Sequence, residues 1–291
     1  MNMSDYNKYI EPFMCIYMCE LEMYLKSHID ELLKISFQSD EANTDRPLKE
    51  YLKKTIEQNC NRIESLCDIK TVSFTSCWYE IDESIRNIFI QKVLLPDGLT
   101  DDIKLVLKSR KNGVFTNPDL CLELNVGGNI VYETVELKST KTDAIPGSSV
   151  QQVSPYEWVI FIHHGAKTID VVTGQYVNAV NARMQFPDRS PRPQVSFSEL
   201  KNWNNKNRNI NTDAICFDSS DNKDKQLLLE DWQGVLAERW TNIVFANEKR
   251  KAEPWFNNNL RKFILNFLKT YDNLSYSERE EYKNLLQSFI E

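Results

Sequence analysis

Asn117 to Lys138 reads NPDLCLELNVGGNIVYETVELK, two runs of alternating residues joined at Gly127-Gly128. A two-residue Gly-Gly connection suits a type I′ hairpin, because both central positions need a positive φ that only glycine adopts without steric cost. The turn dictates a register in which Val126 faces Asn129 and every opposed pair of residue numbers sums to 255. Side chains alternate faces with period two, and opposed residues share a face. Leu120, Leu122, Leu124 and Val126 therefore lie on one face with Val135, Glu133, Val131 and Asn129, and Leu137 extends it. Asp119, Cys121, Glu123 and Asn125 lie on the other with Glu136, Thr134, Tyr132 and Ile130.

On that second face Asp119 opposes Glu136, and Lys138, two residues further on, points the same way. Directly opposed carboxylates repel each other in a sheet, and a hard cation that takes carboxylate oxygens is a physical reason to keep them together. Lys138 then offsets the remaining charge or holds a water.

Pro118-Asp119, a hairpin, and Glu136-Leu137-Lys138 resemble the PD-(D/E)XK signature of the metal-dependent nuclease superfamily that includes many type II restriction endonucleases. The register adds to the letters, since it brings the signature residues to one place. The competing reading is an amphipathic hairpin whose charged residues simply face water. The resemblance implies Mg2+ held by Asp119, Glu136 and the Leu137 carbonyl, with Glu83 or Glu80 from a preceding helix as an additional ligand. Lys138 would orient or help deprotonate the attacking water.

With 291 residues, 41% of them hydrophobic, the chain can bury one sizeable core. No run of 18 apolar residues appears and the first residues have no basic-then-apolar leader, so a protein outside the membrane, in the cytoplasm, is expected. Seven scattered cysteines without a CxxC pair favour reduced thiols over a zinc site or disulfides. A net charge of −7 argues against a generally basic nucleic-acid binder, yet six basic residues lie between Arg183 and Arg208.

The reading assigns a single nuclease domain of α/β (α+β) class, a mixed central β-sheet with flanking helices resembling a restriction-endonuclease core plus N- and C-terminal helical additions. Residues 1–70 form a helical part, with amphipathic helices at about 13–35 and 47–66 serving as scaffold or dimerisation elements. Residues 71–182 form the catalytic core, with a helix over 77–94 bearing Glu80 and Glu83, then a strand at 103–107. Ser148 with Gln151 has capping-box spacing, and Gln152 with Tyr156 has a Q-x-x-x-Y spacing that Pro155 interrupts. A buried strand covers 157–163, followed by a strand pair around Thr173-Gly174.

Residues 183–223 lack periodicity and are assigned as a DNA-contacting loop. They hold Arg183, Arg189 and Arg192, then Asn204, Asn205, Lys206, Asn207 and Arg208, side chains able to pair with adenine and guanine edges or with phosphates. Ser139 and Lys141 are further phosphate contacts. Residues 224–291 return to helices, the last with Ser277 and Glu280 at capping spacing. The expected activity is Mg2+-dependent, site-specific hydrolysis of double-stranded DNA to 5′-phosphate and 3′-hydroxyl ends by a homodimer, since a palindromic site calls for a symmetric pair. The rivals are a repair or recombination nuclease of the same superfamily and a catalytically inert DNA-binding module.

Overall fold

Phe13 to Leu21 are apolar on every side of a helix except at Glu20, and a helix of that kind requires cover all round. In the computed structural model α1 (Met3–Ser27) runs through Pro12 and is buried continuously from Pro12 to Glu22. The structure describes residues 3–35, 46–74, 77–110, 118–146, 154, 156–165, 168–180, 194–217, 234, 237–238, 240–245 and 257–290. After α2 (Ile29–Leu32) and α3 (Arg46–Asn59), β1 (Thr71–Phe74) pairs with β2 (Cys77–Glu80). Next come α4 (Glu83–Arg86), β3 (Phe89–Leu94) and α5 (Asp101–Arg110), then the hairpin β4 (Leu120–Val126) and β5 (Asn129–Thr140). The chain continues through β6 (Ala144–Pro146), β7 (Trp158–His164), β8 (Ile169–Gln175), α6 (Tyr176–Ala179), β9 (Gln194–Ser196), α7 (Phe197–Asn207), β10 (Arg208–Ile210) and β11 (Ala214–Phe217). Last are α8 (Asn258–Asp272) and α9 (Tyr276–Ser288).

The class is mixed α+β. A five-stranded sheet of order β3-β4-β5-β7-β8 is antiparallel except where β5 meets β7, and a four-stranded sheet has order β10-β11-β1-β2. The predicted hairpin register is the one observed, from Leu120 opposite Val135 to Val126 opposite Asn129, with φ of 57° at Gly127 and 87° at Gly128. Leu120, Leu122, Leu124, Val135 and Leu137 share one core with α1 and with Val72, Phe74 and Ile215 of the second sheet. On the opposite face α5 covers Cys121, while α6 and α7 cover Val159, Phe161 and Val172. Among the described residues no helix is long and apolar enough to cross a membrane.

Five expectations are corrected. Residues 77–94 are not one helix but β2, α4 and β3: Ile81, Ile85 and Ile88 are buried as their spacing required, yet Trp78 stands 70% exposed at the sheet edge. Residues 103–107 are helical, because Thr100 accepts the Ile103 N–H and Asp101 and Asp102 sit in the first turn, where the helix dipole favours acids. Thr173-Gly174 is no turn but part of β8, paired with Ile160 and Val159 of β7, and Gly174 is there because a Cβ would meet Leu200 Cδ1 of α7 at 2.8 Å. The final helix is capped two residues earlier than read, by a capping box of Ser275 and Glu278.

The fifth correction concerns 183–223, which contains β9, α7, β10 and β11 rather than a bare loop. Asn204 and Asn207 are buried and donate to the carbonyls of Thr173 and Trp203. Arg208 makes two hydrogen bonds to Glu22 of α1, at 2.9 and 2.8 Å. These side chains are committed to the fold and turned away from any nucleic acid; Asn205 and Lys206 face solvent. Arg183, Arg189, Arg192, Gln152 and the Ser148–Gln151 pair lie outside the described residues.

Burial works against the Glu22 charge, but Arg208 and Lys26 outweigh it and hold the carboxyl below its usual range. The folded pKa is depressed, so the stabilisation is present above the unfolded glutamate value of about 4.3 and is lost as pH falls through the folded value. Arg208→Ala removes the partner that bonds both oxygens of the buried Glu22 carboxylate and is expected to cost roughly 3–5 kcal/mol. Urea denaturation at neutral pH checks this, and near-native stability of the variant would contradict the structural role.

Candidate active site

Two separate apolar clusters lie on one face of the five-stranded sheet. Leu99 and Leu107 close over Cys121 on one side, and Tyr176, Phe197 and Leu200 pack on the β7–β8 side. Asp119, Glu136 and Lys138 alternate onto this same face at the open end of the hairpin, as the register requires. Asp119 lies one residue beyond the last paired position of β4, Leu120, and its Oδ2 accepts the Leu137 N–H at 2.8 Å. Opposite Leu137 the continued register places Pro118, which has no N–H to offer the ladder.

The side chains of Asp119, Glu136 and Lys138 are 15%, 9% and 13% exposed. Lys138 Nζ lies 2.5 Å from Glu136 Oε1. A second lysine joins them, since Lys49 Nζ of α3 lies 2.5 Å from Asp119 Oδ1 with its side chain 10% exposed. Desolvation and then the Glu136 charge push the Asp119 carboxyl up, against the pull of Lys49 and Lys138. Burial opposes the Lys138 charge, but Glu136, Tyr176 and Asp119 hold its ammonium above the ordinary lysine range. In this state Lys138 is therefore a proton donor to Glu136 rather than a base.

The sequence had no signal that would single out Lys49. It sits on α3 with Lys53 and Glu57 at helical spacing, which reads as a solvated stripe. The structure turns that stripe onto an edge strand. Lys53 donates to the Val93 carbonyl, and Glu57 accepts the Val93 N–H at 2.9 Å. This satisfies backbone groups of β3 that would otherwise template further pairing.

Of the other expected site residues, Glu80 and Glu83 are not brought here. They are exposed on β2 and α4, which belong to the second sheet and its side of the core. Ser139 alternates away from Lys138, and its Oγ lies 2.9 Å from His164 Nε2; Lys141 is exposed just beyond β5. Among the described residues no three His, Cys, Asp or Glu side chains gather as a metal cage. Two carboxylates with exchangeable ammonium partners nonetheless suit magnesium, which is held by one or two carboxylates, keeps waters and takes substrate phosphate oxygens. No family model, curated protein or solved structure matches the chain.

The raised Asp119 pKa has a definite stability signature. Above about 4 the unfolded aspartate is ionised while the folded one still holds its proton, so this group makes stability fall as pH rises through that window. The difference in unfolding free energy between wild type and Asp119→Asn is expected to decline across it. Parallel pH–stability curves would show that Asp119 is not coupled to Glu136 in this way.

Proposed function

We propose that the chain is a Mg2+-dependent endonuclease acting on double-stranded DNA, of the type II restriction kind. The observation that carries this reading is the juxtaposition of Asp119, Glu136 and Lys138 at one end of β4 and β5, on the sheet face that also carries two separate apolar clusters. Asp119, Glu136 and the Leu137 carbonyl would hold the ion. Magnesium, when bound, would lower the pKa of a water and stabilise charge building on the phosphate. Lys138 would orient the attacking water, and hydrolysis would leave a 5′-phosphate and a 3′-hydroxyl.

Outside the cluster, Lys141, Asn205 and Lys206 remain as solvent-facing DNA contacts. A symmetric dimer belongs to the same reading. Helices α8 and α9 bury none of their residues and expose Phe263, Phe267, Leu285 and Phe289, apolar surface that a second copy can cover.

The test is digestion of phage DNA with and without magnesium, followed by sequencing of the ends. Discrete fragments with 5′-phosphates support a site-specific enzyme, a smear points to the repair or recombination alternative, and the absence of cation-dependent cleavage leaves the inert binding module. Lys138→Ala is expected to lower cleavage by about 10²–10³-fold, the range for removing one preorganised group that stabilises charge developing in the transition state, while binding to the cleaved sequence in calcium persists. Cleavage near the wild-type rate would remove Lys138 from the mechanism.

A further inference from the structure

Charge in this pocket is balanced before any ligand arrives. Asp119 and Glu136 supply two negative charges, and Lys49 and Lys138 supply two positive ones, each within 2.5 Å of a carboxylate. Adding a divalent cation to such a buried group creates an excess of two positive charges. That excess is unfavourable at low dielectric unless an ammonium leaves or anions enter.

The two lysines are not equivalent. Lys138 is on β5 itself, two residues from Glu136, and is held by Glu136, Tyr176 and Asp119 together. Lys49 reaches in from α3, whose backbone is clamped to β3 by Lys53 and Glu57, so what can move is its four-carbon side chain. It occupies Asp119 Oδ1, an oxygen that a cation bound between the two carboxylates would need.

We propose that Lys49 is a built-in competitor for the divalent cation, a positioning residue that occupies Asp119 in the free protein and is displaced toward the substrate phosphate when cation and DNA arrive together. This rests on the metal-dependent reading above. Once displaced, the Lys49 ammonium, Lys138 and the cation face a phosphodiester and an attacking hydroxide, and the charges balance again. Cation and DNA therefore bind as a cooperative pair, and by linkage each raises the affinity for the other equally. The free protein holds magnesium weakly, which keeps the hydrolytic centre unassembled until a phosphate backbone is in place.

Titration calorimetry of the full chain with magnesium chloride alone tests this without substrate. Lys49→Met is expected to bind magnesium at least tenfold more tightly than wild type, and Lys49→Arg, which restores the competing charge, to return to weak binding. Lys49→Gln carries the same comparison if Lys49→Met melts below the titration temperature. Equal magnesium affinity in wild type and the neutral variants overturns the role of Lys49 and leaves the metal reading standing. Saturable binding to none of them at tens of millimolar overturns the metal reading and this inference with it.

Discussion

Side chains on a strand alternate with period two, so the Gly127-Gly128 turn commits every residue of β4 and β5 to one side of the sheet. A slip by one residue would carry Leu120, Leu122 and Leu124 out of the core they share with α1 and drive Asp119 into it. The apolar cost of that exchange is what holds Asp119 opposite Glu136 despite their repulsion. Core and candidate site are thus two faces of one pairing decision.

Burying two like charges is sustained by the elements that close around them. Lys138 comes with the strand, but Lys49 comes from α3, which is present because the β3 edge needs partners for its backbone. The same helix therefore blunts a sheet edge and completes a charge balance. The result is a buried group in which each carboxylate has an ammonium partner, Lys49 for Asp119 and Lys138 for Glu136.

On the opposite face α1 does comparable work with carboxylates of its own. Glu20 accepts N–H groups of Glu64, Ser65 and Leu66, and Glu22 takes Arg208 together with the Thr173 N–H. A helix buried all round can carry acids only if each finds donors. That requirement draws Arg208 inward, and with Asn204 and Asn207 also bonded to backbone carbonyls it turns one side of the asparagine-rich stretch into the fold, leaving Asn205 and Lys206 on the solvent side.

The sequence by itself determined the hairpin, its register, the division of its faces and the placement of Asp119, Glu136 and Lys138 together, because each follows from a two-residue turn and a period-two pattern within 22 residues. It also showed α1 and the buried β7, whose apolar runs leave little choice. What it did not decide were the elements whose local pattern is ambiguous, such as Ile103 to Leu107, where a short apolar run fits helix or strand until Cys121 and Tyr132 offer a surface to cover. Nor did it decide contacts between distant segments. Lys49 with Asp119, Arg208 with Glu22 and Gly174 beneath Leu200 are pairings across 70, 186 and 26 positions. Only the packed sheets and helices bring such groups together, because a charge or a glycine carries no record in its own neighbourhood of which remote surface will close over it.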